Sequence, residues 1–349
     1  MASKKINLFD LTYPELEQAL IDVNQPKFRA QQLCNWFYKN LVSDTKLMLN
    51  VPQDLRAILD REFLLDLPVI HDVAQSKTDE SYKFLLKTRD NNLIESILMV
   101  DGERATICLS CMIGCPMACK FCATGSEVGF VRKLTTSEIV GQVLVILRYA
   151  QEHEYVQRIT NIVFMGMGEP FLNKESVEKA INIFTHPKCM ALSPAKISVS
   201  TAGVGPGIAD FINKTQVLLA VSVHFPTNEL RIKYMPANTK FPLENLIAEL
   251  KKITLKKRDY IFIEYLLLAG VNDSLVQAKQ LHKLIAGLKV KVNLIPYNPT
   301  ATLPGQAPSE KVINEFAMYL RDKDIFTSVR RSKGLDIEGG CGQFVLKQQ

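Results

Sequence analysis

A chain of 349 residues can bury a large core as one main domain carrying an appendage. Its 47% hydrophobic and 22% charged residues suit an ordinary globular enzyme; no run approaches the ~18 apolar residues of a membrane span, and Met1–Asp10 has no signal-peptide core, so a cytosolic, membrane-free protein is expected. The net charge of +6 permits a nucleic-acid partner without demanding one, because the surplus is spread along the chain.

Segments Tyr13–Val23, Arg29–Val42 and Leu47–Leu59 carry apolar residues at helical spacing, separated by Pro26 and Pro52. Val69–Val73, Tyr82–Leu86 and Leu93–Val100 read as short strands, with Asp90-Asn91-Asn92 as a turn. Residues 1–90 are therefore expected to form a small helical module with a short strand linker, and residues 91–349 the main body.

From about residue 104, β-branched runs alternate with helical segments. The strands are Thr106–Leu109, Asn161–Met165, Lys196–Ser200, Leu218–Val223, Tyr260–Leu267 and Val290–Ile295. The helices are Thr136–Tyr149, Lys174–Phe184, Gly207–Lys214, Leu243–Thr254, Leu275–Leu288 and Glu310–Leu320. Six strand–helix units in succession predict a parallel sheet with helices outside it. No G-x-G-x-x-G or Walker motif follows the first strand, which weakens a dinucleotide-binding reading. A full eight-unit barrel needs more repeats. The expected fold is α/β, a partial, TIM-like (βα)6 barrel.

The conspicuous loops fall just after these strands, where such folds build active sites. They are the cysteine loop, Gly166-Met-Gly-Glu-Pro170, Ser200-Thr-Ala-Gly203, Ser222-Val-His224 and Pro296-Tyr-Asn-Pro299. Eight cysteines in a cytosolic chain do not suggest structural disulfides, and five of them lie between Cys108 and Cys122. Cys34 and Cys189 sit in apolar, helix-like contexts that suit buried inert thiols. Cys341, among three glycines, reads as a loop or a chain-end turn.

The spacing Cys115-x-x-x-Cys119-x-x-Cys122 gives three thiolates, one short of a closed zinc site or a four-cysteine iron–sulfur cluster. A zinc knuckle completed by Cys108, Cys111 or a histidine is the bland alternative. Zinc motifs usually pair two C-x-x-C units, and none of the five histidines lies near this loop.

At these residues the chain resembles the radical S-adenosylmethionine (SAM) superfamily. The resemblance implies a 4Fe–4S cluster on Cys115, Cys119 and Cys122, with SAM on the open iron. It narrows to the RlmN/Cfr family of RNA adenine methyltransferases. The stretches that carry it are Arg104–Cys108, Gly114–Cys122, Phe164–Pro170, Ser200-Thr201, Gly270–Asp273, Asn293–Pro299, Asp336-Ile337 and Cys341-Gly-Gln343. That resemblance overturns the bland reading of Cys341. It implies methylation of an aromatic adenine carbon in ribosomal RNA, and in transfer RNA as a second substrate. Carbon 2 is favoured, with carbon 8 as the alternative within the family.

By the same resemblance, one SAM methylates Cys341 and a second yields a radical that activates the S-methyl group, so two SAM serve each turnover. The methylene adds to the base as a covalent adduct, dividing one hard step into two. Glu95, thirteen residues before Cys108, matches the proton acceptor, and Cys108 matches the transient disulfide partner of Cys341. Gly168, Glu169, Ser200, Ser222, Val223, His224 and Asn298 match SAM contacts, residue types suited to an amino group and a ribose. The resemblance further implies an RNA-binding role for the first module, with Lys27, Arg29 and Trp36, though packing suits Trp36 better. An external, flavodoxin-type electron donor and a monomeric chain complete the expectation.

Two departures stand out. Gly339 and Gly340 occupy places where the family has alanines, which predicts a looser Cys341 loop, and Cys111 is an extra thiol read as a bystander. A radical SAM enzyme acting on a non-RNA substrate and a zinc-stabilised RNA-binding protein are the rival classes. The pair Cys108 and Cys341 argues against the first.

Overall fold

A computed structural model describes residues 5–346; Met1–Lys4, part of the stretch read for a leader, lie outside the described residues. Among the described residues no helix is long and apolar enough to cross a membrane.

The chain opens with β1 (Ile6–Asn7), then α1 (Tyr13–Asp22), α2 (Arg29–Cys34), α3 (Gln53–Glu62) and β2 (Phe63–Leu64), with β1 and β2 pairing in parallel. α1 starts on a capping box in which the Glu15 carboxylate accepts from the Thr12 backbone N–H at 2.8 Å. It buries Tyr13, Leu16 and Leu20, one face at helical spacing. The predicted helix Arg29–Val42 is α2 continued by a wider turn, where Asn40 N–H reaches the Asn35 carbonyl. The predicted helix Leu47–Leu59 begins only at Gln53, because Pro52 has no N–H to place inside a helix. The module docks on the main body: Ser137 N–H donates to Asp10 at 2.6 Å, Lys179 pairs with Glu15 at 2.7 Å, and the buried sulfurs of Cys34 and Cys189 lie 3.5 Å apart.

β3 (Val69–Gln75), β4 (Ser81–Lys87), β5 (Leu93–Asp101) and β6 (Arg104–Cys108) form an antiparallel run. A short hairpin follows, β7 (Met112–Gly114) with β8 (Phe130–Lys133). The chain then winds through α4 (Thr136–Glu152), β9 (Asn161–Phe164), α5 (Lys174–Thr185), β10 (Ile197–Thr201), α6 (Ile208–Thr215) and β11 (Leu218–Ser222). It continues through α7 (Asn228–Tyr234), α8 (Leu243–Leu250), β12 (Ile261–Leu267), α9 (Leu275–Leu284), β13 (Val290–Pro296), α10 (Glu310–Arg321) and β14 (Thr327–Val329).

One sheet of ten strands results, in the order β14-β13-β12-β11-β10-β9-β6-β5-β4-β3. The six expected parallel strands are β6 and β9 to β13, each beside its predecessor in sequence. That order never reverses, so the sheet is wound in one direction as in a barrel, with no switch point of the doubly wound kind. It stays open, with β3 and β14 as its edges. The short strands β1, β2, β7 and β8 were not anticipated, nor was β14, a three-residue strand that extends the parallel array, nor α7, a seven-residue helix closed by Pro236. The antiparallel strands β3 and β4, read from sequence with the first module, hydrogen-bond into this same sheet. β6 is the hinge of the design, antiparallel to β5 on one side and parallel to β9 on the other.

Candidate active site

Four of the five loops expected to carry chemistry leave the C-terminal ends of parallel strands β9, β10, β11 and β13, and the cysteine loop follows β6 by way of the hairpin β7–β8. Those ends form one rim, because parallel strands point the same way. Cys115, Cys119 and Cys122 lie on the loop between β7 and β8, whose neck is closed by Cys115 N–H donating to the Gly129 carbonyl at 2.6 Å. Phe121, inside that loop, meets the His224 ring edge-on at 5.0 Å. Cys119 is buried, while Cys115 and Cys122 are half-buried.

Desolvation raises all three thiols, and Cys122 adds to the rise at Cys115 and Cys119: Cys115 is pushed up to about 12, and Cys119 stands well above its ordinary range. These sulfurs are protonated at neutral pH until a metal replaces the protons. The donor set suits a 4Fe–4S cluster: three cysteines on one loop, each able to hold a separate iron. Among the described residues no three histidine, cysteine, aspartate or glutamate side chains gather closely enough to hold a single ion.

The segment Gly166–Pro170 is stitched beneath this loop. Gly166 N–H donates to the Leu109 carbonyl at 3.0 Å, Cys111 N–H to the Met167 carbonyl at 2.9 Å, and Met167 N–H to Ser110 Oγ at 2.9 Å. Gly168 has φ of +103°, and a Cβ there would lie 2.7 Å from Met112 and 3.0 Å from the Cys111 sulfur, so only glycine fits. Cys111 is thus a buried packing partner of Gly168, its thiol held well above the ordinary range by burial.

Glu169 is buried and accepts from Phe171 N–H at 3.1 Å, Thr201 Oγ1 at 2.8 Å and Ala202 N–H at 2.7 Å. Burial pushes it up to about 7 against those hydrogen bonds, so a cation arriving beside it meets a group ready to ionise. Ser200 and Ser222 end neighbouring strands β10 and β11. Val223 is buried, and His224 sits in left-handed backbone at φ 56°. The His224 Nδ1 accepts from Leu266 N–H at 3.0 Å, and desolvation lowers the imidazole to about 3, which keeps it neutral. Asn298 donates to Ser332 Oγ at 2.7 Å and to the Cys341 carbonyl at 3.2 Å.

The second group lies on one face of the antiparallel strands. Register pairs Ile97 with Cys108 across β5 and β6, and Glu95 stands two residues earlier on that face. Over it runs the C-terminal segment. Ala123 N–H donates to the Gly342 carbonyl at 2.7 Å, Thr124 Oγ1 to the Phe344 carbonyl at 2.9 Å, and Phe344 packs with Ile97, Cys108 and Met167. Cys341 is solvent-reachable yet crowded by protein, and its thiol is pushed up to about 11 by desolvation and the charges of Glu264 and Cys122. Burial and the nearby Cys341 raise Cys108 further. The loop expected to be loose at Gly339 is closely packed: a Cβ there would sit 2.8 Å from Ile97 and 2.9 Å from the Gly334 carbonyl oxygen. Glycine at this position lets the segment approach the strand.

Sequence reading missed two buried supports. Arg231, from the unanticipated α7, donates to the carbonyls of Ala202, Ser222 (3.1 Å) and Val223 (3.2 Å) and to Asn238 Oδ1. It clamps the loops after β10 and β11 together. Arg231→Met would strand those buried acceptors, and thermal or denaturant unfolding should show a loss of about 3 kcal/mol or more. Asn272 donates to the His224 carbonyl at 2.7 Å and accepts from Leu268 N–H at 2.8 Å, holding the His224 turn; its motif was visible, its role was not.

Residues 6–65 match the family described as Ribosomal RNA large subunit methyltransferase N-terminal domain, and residues 109–281 match the Radical SAM superfamily. The chain is 42% identical over 345 residues to a dual-specificity RNA methyltransferase RlmN from Lawsonia intracellularis, covering 97% of this chain and 96% of that protein. It is 41% identical over 343 residues to the like-named protein of Oleidesulfovibrio alaskensis, covering 97% and 95%. Its fold superposes on the crystal structure of a radical SAM methyltransferase from Sphaerobacter thermophilus with a TM-score of 0.90 at 39% identity, covering 98% of this chain and 100% of that one.

Proposed function

Because the chain belongs to the RlmN family of radical SAM RNA methyltransferases, we propose that it methylates carbon 2 of adenine in ribosomal RNA and in transfer RNA, carrying the methyl group on Cys341. The RNA methyltransferase activity, the radical SAM domain and the 4Fe–4S cluster and SAM it implies follow from the family. The name dual-specificity RNA methyltransferase, borne by the relatives, supports two RNA classes for this chain. The observation that carries the reading is the segment bearing Cys341, hydrogen-bonded to the loop that bears Cys115, Cys119 and Cys122 and lying over Cys108 and Glu95.

When bound, the cluster supplies the electron that cleaves SAM reductively. The rest is work for the chain's own residues. Gly168, Glu169, Ser200, Ser222, Val223, His224 and Asn298 would hold SAM, residue types suited to its amino group and ribose. Cys341 takes one methyl group from a first SAM, and its sulfur then carries that carbon to the base, so two SAM are consumed per turnover. Glu95 accepts the proton displaced from the ring, and Cys108 closes a disulfide on Cys341 as product leaves. The electron comes from an external donor of the flavodoxin type, and the chain works as a monomer. Residues 1–90 serve RNA recognition, supported by the exposed Phe28 between Lys27 and Arg29 and by the exposed Leu47 and Leu49 of the same module.

Nucleoside mass spectrometry of ribosomal and transfer RNA from cells with and without the gene tests the reading. Loss of 2-methyladenosine from both pools is expected. Loss of 8-methyladenosine instead would assign the other ring carbon, and no change in either would end the proposal.

A further inference from the structure

β4, β5 and β6 put three side chains in register on the face beneath the C-terminal segment: Lys83 opposite Ile97, and Ile97 opposite Cys108. Lys83 is 4% exposed and Glu95 0%. The Lys83 Nζ lies 3.4 Å from Glu95 Oε1. Neither that nitrogen nor either carboxylate oxygen has a hydrogen bond of normal geometry, the backbone N–H groups of Val345 and Leu346 lying near the carboxylate. A buried ion pair kept for stability needs its remaining donors and acceptors satisfied, because desolvation otherwise outweighs the attraction. This pair has only loose partners, Lys83 itself and two backbone N–H groups of the segment that carries Cys341.

We propose that Lys83 is a positioning residue for proton transfer: its ammonium keeps the Glu95 carboxylate ionised and oriented toward the base held at Cys341. The inference rests on the reading of Glu95 as proton acceptor. In the step, the carboxylate becomes a carboxylic acid and the electron pair of the broken C–H bond stays on the ring. Lys83 keeps its own proton, and no oxidant or reductant is involved.

The groups acting on Glu95 are Lys83 from β4 and the backbone N–H groups of Val345 and Leu346 from the C-terminal segment. Cys108, opposite Ile97 on β6, shares the strand face and acts on Cys341. Arg330 and Glu264 act on Cys341. Both thiols are raised and uncharged at neutral pH. Burial raises Glu95 and Lys83 opposes that rise. Removing Lys83 therefore leaves burial unopposed, so Glu95 holds its proton to higher pH and the acid limb of the rate moves upward.

The test is the rate of adduct resolution against pH in the cluster-loaded enzyme with a short RNA substrate. Lys83→Met should move the acid limb up by about 1–3 pH units and slow resolution at pH 7 at least tenfold. Cys341 methylation and iron content should stay at wild-type levels. Lys83→Arg should return the limb toward its wild-type position. A Lys83→Met enzyme whose limb stays in place, whatever its overall rate, overturns the proposal. Should that variant not fold, Lys83→Gln, which fills similar volume without the charge, must show the same displacement or the proposal fails. Glu95→Gln separates the two readings. If it resolves the adduct at the wild-type rate, the assignment of Glu95 is wrong; if it stalls while the Lys83 variants show no shift, only the role of Lys83 is wrong.

Discussion

Cys108→Ala should leave the enzyme covalently joined to its RNA. In the reaction proposed above, the base is attached, before resolution, through the former methyl carbon to the Cys341 sulfur. Release requires a second sulfur to attack Cys341, forming the S–S bond as the S–C bond to the base breaks. Cys108 would make that attack as a thiolate, giving up its proton, while the released carbon takes the S–C electron pair and a proton; it packs with Phe344, and its thiol and that of Cys341 act on each other. The other thiols are engaged elsewhere: Cys111 is packed against Gly168, and Cys122, which also acts on Cys341, would be held with Cys115 and Cys119 by the cluster. Denaturing gel electrophoresis with labelled RNA should show a shifted band in near-stoichiometric yield and no methylated RNA. Multiple turnover by the alanine variant would remove Cys108 from the reaction.

The second large effect concerns Cys119→Ala. Cys119 is the buried member of the three loop cysteines, and each thiolate of a 4Fe–4S cluster holds a separate iron. With two cysteines left, anaerobically reconstituted protein should fall far short of about four iron atoms per chain and lose its brown colour. Methyl transfer to RNA should vanish with it. Circular dichroism distinguishes this from unfolding, since one sulfur removed from a loop leaves the ten-stranded sheet in place. Full iron content and methylation in this variant would place the cluster elsewhere.

What the sequence made legible follows from burial. Parallel strands covered on both faces are written as unbroken apolar, β-branched runs, so β9 to β13 stood out. Strand β14, with only Thr327–Val329, and α7, cut short by Pro236, are too brief to show a period. The loop motifs after the strands were visible because they interrupt those runs. Arg231 and Lys83 were not. Each draws its meaning from partners set by tertiary register, Arg231 from carbonyls on two loops and Lys83 from a carboxylate on the neighbouring strand. A lysine inside Ser81–Lys87 looks like an outward-facing residue until pairing shows that the strand is buried on both sides.

The C-terminal segment has a second anchorage, upstream of its sulfur. Asp336 accepts from Ser76 Oγ at 2.7 Å and Lys77 N–H at 2.7 Å, and Gly334 N–H donates to Asp79 at 2.8 Å, all in the turn between β3 and β4. Residues 330–346 therefore leave the β14 side of an unclosed barrel and moor on the opposite flank before reaching the reaction centre. The segment thus runs from one edge of the sheet to the other, and the proposed methyl carrier, Cys341, takes its place from a turn outside the loops of the site.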